Sequence, residues 1–310
     1  MESQRLILHH YDFSNFSEKI RLVLALKKFT WESVIIPSHL PKPDYLPLTA
    51  GYRRTPALQI NSDIYCDTRL IVSILDSLNP DPPLYPENLT VSDLAKCKII
   101  EDWAETNFIR PIALFITGFH ARKFPEEFHK DRANLHGKPN PTIERVEISA
   151  DKYKKQVDLY LDWLNQILTN NDNYLLGKEP SITDLVLYEG PWFLKKIDES
   201  ERFLQGRVWL QRWFRDVEAL EQSADRDIFP SEAIDLAFKT TPQMIEGGID
   251  EELQFKLGDL IQISAIGQNA MAQGRLVHID SHRISLASED ERTGLIHVHF
   301  PRLGYSVKRI

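Results

Sequence analysis

Apolar and polar positions alternate early. Arg5 to Tyr11 (RLILHHY) is a short, largely apolar run, and Asp12-Phe13-Ser14-Asn15 breaks it. EKIRLVLALKK follows, with Ile20, Val23 and Leu24 at helical spacing, so the pattern predicts strand, loop, helix. Trp31 to Ile36 (WESVII) is rich in residues that favour strands, whereas PSHLPKPDYLPLTAGYRR is too broken by proline for a regular element. TPALQI and DIYC flank Asn61-Ser62 as a hairpin, and DTRLIVSILDSL reads as a helix that Asn79-Pro80 stops.

The resulting order, β-α-β, hairpin, α, has one parallel crossover feeding a mixed sheet, which is the thioredoxin arrangement. It is expected over residues 1–80. NPDPPLYPENLT then reads as a linker, and residues 90–238 carry mostly helical periodicity. Within that stretch HARKFPEEFHKDRANLHGKPNPT is polar and rich in turn residues, and a loop of this length is expected to be functional or mobile, here as a flap. From residue 250 to 310 about five short alternating runs suggest a small closed or nearly closed barrel. The fold class is therefore an α/β thioredoxin-like domain plus an all-α helical domain, with a small C-terminal β-barrel-like module.

A length of 310 residues fits this division into more than one core. A formal net charge of −8 argues against a broad phosphate-neutralising surface, so nucleic acid is not an expected partner. Two cysteines, Cys66 and Cys97, are too few for a disulfide framework and fit a reducing compartment. The segment MESQRLILHHYDF lacks the apolar core of a signal peptide, and no apolar run approaches membrane-spanning length. The expectation is a cytoplasmic protein with no membrane partner.

In an open α/β sheet, ligands bind beyond the carboxyl ends of the parallel strands, which points to the loop Ser14-Asn15-Phe16-Ser17. A helix starting here directs free N–H groups and a positive dipole end at an anion such as a thiolate. A Ser14 hydroxyl can donate a further charge-assisted hydrogen bond to sulfur. Each unit by which a thiol pKa is lowered corresponds to about 1.4 kcal/mol of thiolate stabilisation. The plainer alternative is a helix N-cap at Ser14 or Asn15, with Glu18 completing a capping-box pattern, and on these residues alone the cap is favoured. Further on, Arg54-Thr55-Pro56 enters a strand at a proline with the potential for a cis bond, and Cys66-Asp67-Thr68 stands at the mouth of the next helix. Asp67 and Thr68 can cap that helix, receive a ligand ammonium, or both.

Together, S-x-F-S-E-K-I-R-L, then Y-R-R-T-P-A-L, then C-D-T-R-L-I resemble the glutathione-site motifs of the cytosolic glutathione transferase family, in order and near the family spacing. Leu176 to Asp184 (LGKEPSITD) resembles that family's late capping motif, with Ser181 and Asp184 as the box. The resemblance covers about residues 4 to 225. It implies that Ser14 activates the glutathione sulfur, that Thr55 before a cis Pro56 pairs with the cysteinyl backbone, and that Asp67 with Thr68 holds the γ-glutamyl end. It places Lys42 at the glycine carboxylate, and Phe16 and Arg54 lie within the matched motifs as further glutathione-binding positions.

The implied activity is glutathione transfer to a hydrophobic electrophile, with glutathione as co-substrate, no metal, and a homodimer as the usual assembly. Isomerase, dehalogenase or ether-cleaving activities share the same thiolate, and a non-enzymatic binding or scaffold role is the remaining alternative. Two positions depart from the pattern: Asn15 stands where many serine-type members have proline, and Asp67-Thr68 replaces the usual Glu-Ser. The C-terminal segment resembles a module appended to some bacterial and fungal transferase-like proteins, especially at His297 to Tyr305.

His297 and His299 share one strand face, with His278 and His282 as potential neighbours, but such alternation usually marks a solvent face rather than a metal site. His9 and His10 point to opposite faces. Cys66 reads as a buried structural thiol. Trp103, Phe108, Phe115 and Phe119 read as core, with one or two lining a co-substrate pocket.

Overall fold

The computed structural model describes residues 5–169, 173–197, 202–220, 222–245 and 254–310. Residues 1–4 and 250–253, at the starts of the expected first and third domains, lie outside the described residues.

The first run forms β1 (Leu6–His10), followed by α1 (Asn15–Leu26), β2 (Glu32–Ile35), β3 (Ala57–Ile60), β4 (Asp63–Cys66) and α2 (Thr68–Leu78). β1 pairs parallel with β2 and antiparallel with β3, and β3 pairs antiparallel with β4. The hairpin turns at Asn61, whose φ of 58° is a conformation asparagine tolerates better than most residues.

The period of two divides this sheet between two cores. Leu6, Leu8, Leu58 and Ile60 face α1, α2 and the helical region, whereas Ile7, Val34, Ala57 and Ile64 face the opposite core. The helical region comprises α3 (Val91–Trp103), α4 (Ile109–Phe119), α5 (Glu126–Leu135), α6 (Ile143–Ile167), α7 (Ile182–Ile197) and α8 (Val208–Glu218). A π-helical turn, Ala104–Phe108, joins α3 to α4, so the expected long helix carries a break. Ser181 and Asp184 exchange hydrogen bonds at the start of α7, and Asp184 also accepts from Trp213 Nε1 at 2.8 Å. A two-residue strand, β5 (Arg226–Asp227), and α9 (Pro230–Lys239) bring the chain to the second face of the sheet.

The last five strands are β6 (Leu260–Ala265), β7 (Met271–Ile279), β8 (Arg283–Asp290), β9 (Gly294–Pro301) and β10 (Tyr305–Arg309). They form the expected β-rich unit, and their pairing order is open, with no pairing between β9 and β10 to close it. β10 pairs with β6, and β9 pairs parallel with β4. One ten-stranded sheet results, in the order β10-β6-β7-β8-β9-β4-β3-β1-β2-β5. The physical reason is that β4 presents free N–H and C=O groups along its edge, and β9 satisfies them.

The solvent-face reading of His297 and His299 does not hold. His299 is buried, stacks on Tyr65, and bridges Ser285 Oγ (2.8 Å) and Asp63 Oδ1 (3.0 Å) across the β4–β9 seam. His278 instead pairs with Asp280. The stretch expected to be a flap is likewise structured, holding a 3₁₀ turn at Ala121–Lys123 and then α5.

Candidate functional site

Strand register brings the three sequence motifs together. His9 pairs with Ala57, and Ala57 pairs with Cys66, so one rung crosses β1, β3 and β4. The loop leading to Ser14, the Thr55-Pro56 bond and the Asp67-Thr68 turn therefore leave the sheet at the same end.

Ser14 has extended backbone angles (φ −84°, ψ 112°) and caps α1, with its Oγ accepting from Ser17 N–H at 3.2 Å. The side chain is buried, and its hydroxyl proton donates to no protein acceptor among the described residues. Capping and thiol activation are thus compatible, since one uses a lone pair and the other the proton. Phe16 lies in the first turn of the same helix, with Lys19 Nζ 5.7 Å from its ring centroid.

Thr55-Pro56 is cis. Lys42, from the proline-punctuated loop, is buried and donates to Thr55 Oγ1 (2.8 Å) and to the Arg53 carbonyl (3.0 Å). Burial, with the Arg132 and Arg53 charges nearby, pulls its ammonium down to about 7. Arg54 extends toward Tyr52, donating from Nη1 to the phenol oxygen at 3.4 Å.

Asp67 caps α2, its Oδ1 accepting from Arg69 N–H at 3.0 Å, and has φ 74° and ψ 132°. A non-glycine residue held in that region carries backbone strain, which concentrates at functional sites. Thr68 follows as the first, buried residue of α2. The fold joins every expected site residue to this end of the sheet.

Comparison with known proteins places the chain in a family. The family profile described as the glutathione S-transferase N-terminal domain matches residues 8–83, and the one described as the glutathione S-transferase C-terminal domain matches residues 126–222. A crystal structure of a GST-like protein from Pseudomonas syringae superposes with a TM-score of 0.78 at 32% identity, covering 99% of this chain and all of its own. The chain belongs to the glutathione S-transferase family.

Solved structures with a similar fold include a glutathione S-transferase from Rhodospirillum rubrum (16% identity, TM-score 0.54, covering 69% of this chain and 88% of its own). Another is the β-etherase LigF from Sphingobium (18% identity, TM-score 0.52, 69% and 95% covered). None of the curated proteins matches the chain.

Several residues around this site are held by partners far away in sequence. Asn15, which departs from the family proline, donates to Glu189 Oε2 at 2.8 Å across the interface with α7. Lys19 pairs with the same Glu189 (2.9 Å) and with Glu105, and Arg69 also reaches Glu105 (2.9 Å). Burial pushes the Glu189 carboxyl up to about 7, with Lys19 pulling against it and Glu105 adding to it. This buried network fixes α1, and hence the Ser14 loop, against the helical region.

α5 forms a second wall. Asp131 pairs with Arg53 and accepts from Leu40 N–H, and Arg132 donates to Tyr11 Oη (3.2 Å) and to the Ser38 carbonyl (2.9 Å). Phe124 and Phe128 stack on each other and face Phe13, two residues along from Tyr11. An aromatic surface therefore stands beside the Ser14 loop. Such a wall could have been suspected only from the aromatic spacing of KFPEEFHK.

Open clefts occur elsewhere too. One of about 380 Å³ is lined by His10, Arg21, Trp31 and Ser33, and one of about 440 Å³ lies between α2 and the Asp280–Arg283 turn. Neither includes Ser14. Cys66 is buried and its thiol is pushed up by that burial, which suits a structural role. No group of three or more metal-binding side chains occurs among the described residues.

Proposed function

We propose that the protein is a glutathione transferase that stabilises the glutathione thiolate at Ser14 for attack on a hydrophobic electrophile. The observation that carries this reading is the single rung His9–Ala57–Cys66, which gathers Ser14, the cis Thr55-Pro56 bond and the strained Asp67 at one end of the sheet. Thr55 pairs through its backbone with the cysteinyl unit, Asp67 and Thr68 hold the γ-glutamyl end, and Lys42 meets the glycine carboxylate. Phe16 and Arg54 complete the surround.

In this reading the thiol proton leaves to solvent, and the α1 N-terminus and the Ser14 hydroxyl stabilise the resulting anion. The thiolate then forms a C–S bond to the electrophilic carbon as that carbon's leaving group departs with its electron pair. Phe13, Phe124 and Phe128 supply an apolar face for the co-substrate. A serine cannot form the mixed disulfide available to a cysteine, so conjugation is favoured over disulfide reduction.

The test is calorimetric binding of glutathione followed by thiolate absorbance against pH in the wild type and Ser14→Ala. Binding with a thiol pKa lowered in the wild type and restored toward its solution value in Ser14→Ala supports the reading. Binding without any lowering favours a scaffold, and absence of binding removes every glutathione-dependent activity at once.

A further inference from the structure

The ten-stranded sheet places a residue from the far C-terminus against the turn that holds Asp67. Because β9 runs parallel to β4, with Tyr65 opposite His299, the two strands end side by side. The chain then turns through Arg302–Gly304, where Gly304 has φ 84°, and β10 begins at Tyr305. That phenol is buried and donates to Asp67 Oδ2 at 3.0 Å. The other carboxylate oxygen is the one that caps α2.

The inventory of protons sets the direction of each hydrogen bond. Asp67 as a carboxylate only accepts, so Tyr305 spends its one proton there. The 2.5 Å contact between the Tyr305 and Tyr52 hydroxyls must then be donated by Tyr52. Tyr52 in turn accepts from Arg54 Nη1. A one-way chain thus runs Arg54, Tyr52, Tyr305, Asp67, linking a guanidinium to a carboxylate through two phenols, and such chains polarise each member. Burial holds the Tyr305 phenol well above its ordinary range, so it remains a donor. The remaining lone pairs of Asp67 stay available to an ammonium.

We infer that Tyr305 is a positioning residue of the glutathione site: it fixes the Asp67 carboxylate to receive the γ-glutamyl ammonium, making the C-terminal sheet part of the machinery for γ-glutamyl selection. This rests on the proposed glutathione reading. It assigns the C-terminal strands a share in ligand recognition, through a residue more than two hundred positions away from the motif it serves.

Two probes separate the possibilities: S-methylglutathione, and S-methylcysteinylglycine, which lacks the γ-glutamyl group. Calorimetry on the full chain is expected to show Tyr305→Phe binding S-methylglutathione about tenfold more weakly, about 1.4 kcal/mol. Its affinity for S-methylcysteinylglycine stays at the wild-type value, and in turnover the loss lies in KM for glutathione rather than in kcat. A merely structural role would weaken both probes together or neither, and either result overturns the inference. Tighter binding of S-methylglutathione by Tyr305→Phe would overturn it too, by making Tyr305 a plug.

If Tyr305→Phe is poorly folded, Tyr52→Phe interrupts the same chain one link earlier and is expected to show the same probe dependence with a smaller loss. Equal affinity of both Tyr52→Phe and wild type for S-methylglutathione would count against the chain. A wild type that binds neither probe overturns the underlying glutathione reading and this inference with it. A wild type that binds S-methylglutathione, with no probe dependence in the variants, overturns this inference alone.

Discussion

At the residue scale, Ser14 performs two tasks with one hydroxyl. Its lone pair caps α1 and its proton is free for a ligand sulfur. Ser14→Ala is therefore expected to cost about 1 kcal/mol of stability through the lost cap, read as a lower denaturant midpoint. Ser14→Asn keeps a capping oxygen and is expected to recover most of that stability. Lys42 gives a separate signature. Burial pulls its ammonium down to about 7, so charge for the glycine carboxylate is expected below that pH and is lost above it. S-methylglutathione has no thiol to titrate, so its Kd is expected to rise as pH climbs from about 6 to about 8.5, and Lys42→Gln flattens that profile. An unchanged profile in Lys42→Gln would remove Lys42 from the site.

The buried histidines of β1 set the acid limit of the fold. Burial pulls His9 down to about 4 and His10 to about 3, from an ordinary 6.5. Below pH 6.5 the unfolded chain takes up protons that the folded chain refuses, so this stability is complete above 6.5 and drains away as pH falls toward those values. For fully buried His9 the effect is on the order of 3 kcal/mol. Urea midpoints measured from pH 7 to pH 4 should fall steadily, and more gently in His9→Asn.

At the element scale, the helical region is held close by a glycine. A Cβ built on Gly118 of α4 would stand 2.7 Å from the Val146 carbonyl and from Ala150 N–H, backbone atoms of α6 that cannot step aside. Gly118→Ala is expected to destabilise the protein by about 1–3 kcal/mol, seen as a lower Tm with little change in glutathione affinity.

The strands and helices of residues 5–78 were legible because period-two and helical patterns are local, and the hairpin and cis-proline positions carry their own markers. α5 was not. EEFHKDRANL has few apolar positions, and what holds it is tertiary: Asp131 to Arg53 and Leu40, and Arg132 to Tyr11 and Ser38. Asn15 shows the same limit, since its reason is Glu189, far away in sequence and buried against α1.

At the scale of the whole molecule, the C-terminal strands extend the first sheet rather than stand apart from it. Five alternating runs announce strands but say nothing of which edge they will meet, so a closed barrel and a sheet continued onto β4 share one sequence pattern. The seam is polar as well as backbone-bonded. Asp63 accepts from His299 and from Gln243 N–H, while His299 also meets Ser285. Asp63→Ala leaves those partners unsatisfied in a buried site and is expected to lower Tm markedly, whereas Glu289→Ala at an exposed position of β8 is not.

All three scales meet at the end of the sheet where Ser14, Pro56 and Asp67 converge, and the central claim is that glutathione binds there as a thiolate. Thiolate absorbance of bound glutathione against pH tests it most directly. A thiol titrating below its solution value in the wild type, and returning toward that value in Ser14→Ala, is the expected result. An identical, unlowered titration in both proteins would contradict it.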